Sequence, residues 1–179
     1  EQTYLYAKND GSFFSNLGDR IAVGGWINPT TYSVGNTFCP IFNTRAGPGQ
    51  PLLYISLYSG RPRMMLYNST GGLICDQSET PTITFKNNGW YFMGNIIDLV
   101  ANTTQYVIGD RSTGEQWFGP LRAITGTLNP NCVADIEIGR HTTTYWYAGG
   151  LDDWFFETES QLTVDDLERY FKQSLMANG

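Results

Sequence analysis

The stretch "WYAGGLDDWFFET", Trp146 to Thr158, sets two glycines, a leucine and a pair of aspartates ahead of three consecutive aromatics. An aromatic run of this kind favours a strand with contacts on both faces, and the glycines ahead of it permit a tight turn into that strand. The period then changes. In "SQLTVDDLERYFKQSLMANG", Leu167, Tyr170, Phe171 and Leu175 recur at i, i+3, i+4 and i+8, one face of an α-helix. Thr163 stands as its N-cap, Asp165 and Asp166 fall in the positive first turn, and Asn178-Gly179 ends it. A closing strand followed by a short terminal helix is the expected end of the fold. Asp152 and Asp153 admit three roles: catalytic acid, metal ligand or scaffold.

Upstream, period-two patterning dominates. "DRIAVGGWINP" sets Ile21, Val23, Gly25 and Ile27 against Ala22, Gly24 and Trp26, with Asn28-Pro29 as a stop. "PLLYISLYSGRPRMMLYNSTGG" reads as a hairpin turning at Ser59-Gly60, with Leu53, Ile55 and Leu57 on one face and Tyr54, Ser56 and Tyr58 on the other. "NNGWYFMGNIIDLV" is a longer strand after an Asn-Gly turn. In "TQYVIGDRSTGEQWFG", Gly109-Asp110 is expected to break one strand before the next begins, and "ADIEIGR" alternates Ile136 and Ile138 with Asp135 and Glu137. Short strands with turn signals about every ten residues predict an all-β sandwich of jelly-roll type. No linker or repeat interrupts residues 1–179, so a single domain is expected.

Composition narrows the function. Charged residues make up 16% and aromatics 15%, with 20 glycines, a surface typical of extracellular β proteins and sugar binders. The net charge of −6 and the absence of a basic stripe argue against nucleic acid. No apolar run approaches the roughly 20 residues of a membrane span. Cys39, Cys75 and Cys132 lack the paired spacing of a zinc site and read as free or partly buried thiols, with one long-range disulfide as the alternative. Asn68-Ser69-Thr70 and Asn102-Thr103-Thr104 are formal glycosylation sequons.

Two segments together resemble the laminin-G-like branch of the concanavalin A-like lectin/glucanase jelly rolls. "IAVGGWINPTTYSVGNTFCPIFNT" is similar to that group's early strand, ending in Trp-Ile-x-Pro. "ADIEIGRHTTTYWYAGGLDDWFFETESQLTVDDLERYF" is similar to its closing pattern: Ile-x-Ile-Gly, a variable loop, Gly-x-Leu-Asp-Asp, an aromatic strand and a short helix. The resemblance implies two stacked antiparallel sheets and a role in glycan or protein binding. It also implies a structural Ca2+, held by Asp152 or Asp153 with oxygens near Asp10. Adjacent strand residues point to opposite faces, so one ion does not readily take both aspartates, and a carboxylate held by backbone amides is the rival role.

Catalysis has little support. A glycosidase needs two carboxylates about 5 Å or more apart across the scissile bond. Asp135 and Glu137 share a strand face without a third acid, and read as a polar outward face opposite Ile136 and Ile138. His141, the lone histidine, has no nucleophile context. The chain therefore reads as no enzyme.

Sugar binding needs flat aromatic faces and planar polar groups. Tyr54 and Tyr58, with Arg63 on the returning strand, and Trp117, Arg140, His141, Tyr145 and Trp146 in loops are the candidates, and "HTTTYWY" is the most aromatic polar loop. Trp26, Trp90 and Trp154 read as core. The expectation is a non-catalytic carbohydrate-binding, lectin-type module of a larger secreted, surface or phage-tail protein, placed extracellularly, on a cell surface or on a virion. The alternative is a protein-interaction or structural domain whose tyrosine-rich face is covered by neighbouring domains or subunits. A glycoside hydrolase ranks below both.

Overall fold

The computed structural model describes residues 5–7, 17–30, 38–44, 53–128, 135–141 and 145–177; side chains of 5–7, 141, 145, 146 and 177 are outside that description. The fold is all-β, with two antiparallel sheets and one C-terminal helix, the make-up of an all-β sandwich. Each sheet belongs to its own compact unit, and each unit is assembled from three separate segments of chain.

The first unit comprises Glu1–Leu17, Ser33–Thr80 and Ile124–Ala148. Its sheet runs in the order β1 (Leu5–Ala7), β11 (Ile136–Ile138), β3 (Phe38–Thr44), β4 (Leu53–Tyr58), β5 (Arg61–Tyr67), β6 (Leu73–Ser78). Tyr58 faces Arg61 across a two-residue turn in which Ser59 (φ 48°) and Gly60 (φ 75°) are both left-handed. That is the turn whose twist matches paired strands, and it fixes the hairpin register. Leu53, Ile55 and Leu57 are buried as the alternation predicts, together with Met64 and Leu66 across the hairpin. A two-stranded ribbon, β12 (Arg140–His141) paired with β13 (Tyr145–Trp146), packs against β3. Cys39 is half-buried on β3, where burial pushes its thiol pKa up, and Cys75 is buried on β6. Cys132 lies outside the described residues.

The second unit comprises Gly18–Tyr32, Pro81–Ala123 and Gly149–Gly179. Its sheet runs β10 (Arg122–Ala123), β8 (Thr103–Asp110), β7 (Tyr91–Asp98), β2 (Arg20–Pro29), β14 (Gly149–Glu157), with β9 (Gln116–Phe118) also paired to β8. The helix α1 (Val164–Ala177) packs on one face through Leu167 and Phe171, against Ala22, Trp26, Phe92, Ile96 and Val107. The alternate residues Ile21, Val23, Ile27, Met93, Ile97 and Ile108 are buried as well. The central strands are therefore apolar on both faces, which is why their sequences lack a clean apolar/polar alternation.

The helix start follows the sequence. Thr163 Oγ1 accepts from the Asp166 N–H at 3.3 Å and Asp166 Oδ2 accepts from the Thr163 N–H at 2.8 Å, a reciprocal cap. The hydrogen bonds from Thr163 hold the Asp166 carboxyl below its usual range.

As the sequence leads one to expect, β8 ends at Gly109-Asp110 before β9 begins at Gln116; Gly109 also has a packing reason, because Phe171 occupies the space above it and a Cβ there would come within 2.3 Å of the ring. The lack of a side chain serves close packing of helix on sheet.

The β7–β8 turn is tied by Asp98. Its carboxylate accepts from the backbone N–H of Ala101 at 2.7 Å and of Val100 at 3.1 Å, and from Arg20 Nε at 2.8 Å. The Ala101 amide, then Arg20, lowers the Asp98 pKa. A carboxyl whose folded pKa is depressed contributes stability that is present above its unfolded value of about 3.9 and lost as pH falls through the folded value. Asp98→Asn is therefore expected to lower Tm at neutral pH, with its deficit relative to wild type shrinking as pH falls below about 4. Parallel Tm–pH curves for the two proteins would contradict this.

Candidate functional site

The opening aspartates form a bulge. Asp152 pairs with Trp26 and Phe155 with Gly24, so Asp153 and Trp154 together oppose Gly25. Asp153 is left-handed (φ 50°), and Asp152 Oδ1 accepts its N–H at 3.0 Å. The bulge lays Trp154 over Gly25, where a Cβ would come within 2.6 Å of the indole, and the indole N–H donates to the Trp26 carbonyl at 3.1 Å. Gly149 is required for close approach rather than for a turn, since a Cβ would fall 2.0 Å from the Asn28 carbonyl oxygen. Within the bulge, Asp152 thus takes a backbone amide.

The calcium expectation joins Asp152 or Asp153 to Asp10. Asp10 lies outside the described residues, and among those described no three acidic, histidine or cysteine side chains group together. Two exposed aspartates, one engaged by an amide, do not by themselves supply the six to eight oxygens the ion takes.

The polar face of the first sheet carries Tyr54, Tyr58 and Arg63. Strand register sets Tyr54, Met65 and Asp76 in one row, Ser56, Arg63 and Ser78 in the next, and Tyr58 with Arg61 at the hairpin end. Asp76 binds the Arg63 guanidinium through both carboxylate oxygens, Nε–Oδ1 at 2.8 Å and Nη2–Oδ2 at 2.6 Å. These bonds hold Arg63 above its already high ordinary pKa. The guanidinium carbon sits 5.1 Å from the Tyr58 ring centroid, within cation–π range. A guanidinium has five N–H donors, and Asp76 uses two, leaving three on a group fixed in the plane of the bond pair.

Tyr54 does not join this open surface. It is 3% exposed and stacked on Phe38, ring centroids 4.9 Å apart, so it is floor rather than a free ring. Glu137 likewise corrects the outward-face reading, being 8% exposed. Its Oε1 accepts from Arg140 Nε at 3.0 Å and from Nη2, and its Oε2 from Asn43 Nδ2 at 3.4 Å. The Asn43 amide also donates to the Arg140 carbonyl, and the Gly139 N–H to the Ile41 carbonyl at 2.7 Å, which ties the β12–β13 ribbon to β3. A carboxylate committed to Arg140 is poorly placed for acid–base work.

His141, Tyr145 and Trp146 were expected in a loop; their backbones instead form that ribbon, on the unit carrying Tyr58 and Arg63. Trp117 belongs to the second unit, half-buried on β9, so it does not join the cluster. Trp26 packs as core with the partly buried Trp90 against it, whereas Trp154 is half-buried over Gly25.

Asp76, Asn43 and the Glu137–Arg140 pair were missed from sequence. "CDQS" does alternate, with Cys75 and Gln77 buried and Asp76 and Ser78 exposed, so the β6 signal was present but short.

No family model matches the sequence, and no curated protein matches it. Solved structures do. The binding domain of botulinum neurotoxin serotype D superposes with a TM-score of 0.67 at 11% identity, covering 96% of this chain and 40% of that one. A heptameric SAP-like pentraxin from Limulus polyphemus gives 0.58 at 13% identity, covering 92% and 79%. The binding domain of botulinum neurotoxin DC in complex with SialylT gives 0.64 at 11% identity, covering 96% and 40%. The chain spans about 40% of the length of the neurotoxin domains it matches. Identities this low establish a shared jelly-roll-like fold, one found in binding domains, and function must be argued from the site.

Proposed function

We propose that this chain is a non-catalytic carbohydrate-binding module of the laminin-G-like kind, part of a larger secreted, surface or virion protein. The Tyr58–Arg63–Asp76 cluster carries the reading: a half-buried aromatic ring beside a guanidinium fixed by Asp76, with three N–H donors left for sugar hydroxyls. The backbone ribbon β12–β13, which carries His141, Tyr145 and Trp146, belongs to the same unit. A domain of similar fold complexed with SialylT supports the same class of ligand.

The rigid sheet orients these groups before binding, which lowers the entropic cost of capture. Arg63→Ala is expected to weaken glycan binding by at least about tenfold, the loss of one or two charge-assisted hydrogen bonds. Stability should change by less than about 1 kcal/mol, because Arg63 and Asp76 form a solvent-accessible pair. A glycan array followed by titration of Arg63→Ala and Tyr58→Ala tests this. No glycan response from the wild type, with concentration-dependent self-association instead, would replace the sugar reading with a protein-interaction surface.

A further inference from the structure

The second unit carries a cleft unrelated to the sugar reading. It lies between β14 and α1 and encloses about 590 Å³, within the range of small-molecule pockets. Two kinds of side chain line it. Phe155 and Tyr170 meet edge to face with centroids 5.9 Å apart, beside Trp154 and Leu162, and give an aromatic and aliphatic wall. Asp153 and Glu157 come from β14, and Asp166 faces them from the helix.

The charges do not cancel. Arg169, the one cation on the lining, is paired with Asp166 at 2.6 Å. Glu157 accepts a hydrogen bond from Ser160 Oγ at 2.8 Å, a neutral partner, and among the described residues no cation pairs with Asp153. Two carboxylates are left unneutralised beside apolar walls. They are four residues apart on β14, at most about 13 Å at the usual strand rise. The bulge at Asp153 breaks the alternation there, so Asp153 and Glu157 border one cleft. The phenol of Tyr170 is pushed above its ordinary pKa, first by burial and then by Asp153 and Asp152, which places those carboxylates near its ring.

We infer that this cleft binds a linear aliphatic polyamine. Its terminal ammonium groups meet Asp153 and Glu157, and its methylene chain lies along Phe155, Tyr170 and Leu162. A lone metal ion would leave the aromatic walls unused, and a neutral apolar ligand would leave the carboxylates facing it uncompensated. The ligand chemistry that satisfies both is a flexible chain with separated positive charges.

The test is calorimetric titration of the intact chain with putrescine and spermidine, using butanediol as the neutral counterpart of putrescine. The variant is Asp153→Asn/Glu157→Gln. Asn tolerates the left-handed backbone of the bulge, and Gln keeps an acceptor for Ser160. Spermidine is expected to bind more tightly than putrescine, butanediol to give no heat, and the double variant to lose about tenfold or more in affinity. Equal binding by the variant would mean diffuse attraction to an acidic protein and would overturn the proposal. So would butanediol binding as well as putrescine, or no polyamine heat up to about 10 mM, the range where small-ligand affinity fades. An unchanged melting temperature in the variant excludes unfolding as the cause of lost binding. Because the glycan cluster lies on the other unit, failure of either proposal leaves the other standing.

Discussion

Phe171→Ala is expected to destabilise the protein by about 3–5 kcal/mol, the usual cost of removing a buried aromatic, and to lower Tm by roughly 10 °C. Phe171 is fully buried on the face of α1 that meets the sheet. Its ring lies 5.7 Å from that of Trp26 and 6.2 Å from that of Phe92, and it fills the space over Gly109. Truncation leaves a cavity that a flat sheet surface cannot close, because the glycine beneath it has no side chain to move. The same geometry predicts the reverse defect. Gly109→Ala forces a methyl into the ring and should cost about 1–3 kcal/mol or more by overpacking. Combined, the two changes should cost less than their sum, since the alanine methyl occupies part of the space the ring vacates. Thermal melts of the two single variants and the double variant decide it. Strict additivity would mean that helix and strand do not share this contact.

Much of this arrangement is legible in the sequence, for local reasons. The 3.6-residue period marks Leu167 and Phe171, and Thr163 with Asp166 announces the helix start. The hairpin at Ser59-Gly60 declares itself by alternation and a turn pair. Other features depend on contacts distant in sequence. Gly109 marks the strand end in the sequence, but its packing role shows only when Phe171, sixty-two residues later, is seen above it. Strand alternation sets Asp152 and Asp153 on opposite faces, whereas the bulge suspends that alternation at this point. Burial of Tyr54 depends on Phe38 on the neighbouring strand. The candidate site shows the same division: Tyr58 and Arg63 flank a readable turn, while Asp76 comes from the next strand and Glu137 from one separated by ninety-four residues from its partner Asn43.

Glu137→Ala is the second large effect expected. Removing one member of a buried ion pair typically costs about 3–5 kcal/mol, because the other charge is left without a partner. Arg140 keeps 19% of its side-chain surface in solvent and can turn outward, so about 2–4 kcal/mol is expected here. Asn43 makes the loss worse. Its Oδ1 has no hydrogen-bond partner among the described residues and the residue is fully buried, so its amide group relies on the Glu137 carboxylate and the Arg140 carbonyl. The effect should concentrate at the β12–β13 ribbon, which hangs from β3 by that carbonyl and by the Gly139 N–H. Amide hydrogen exchange in residues 139–147 should accelerate more than in β4 or β5, and glycan affinity should fall although Glu137 itself is buried. Glu137→Gln keeps the volume and an acceptor for Asn43 while losing the charge, so it should lie between wild type and alanine in both readouts. A melting temperature within about 1 °C of wild type, with unchanged exchange in the ribbon, would show that the ion pair does not hold it. A large loss of stability spread evenly over the first unit would instead assign Glu137 to the sheet as a whole. Only the localised outcome ties the buried carboxylate to the β12–β13 ribbon that packs against β3.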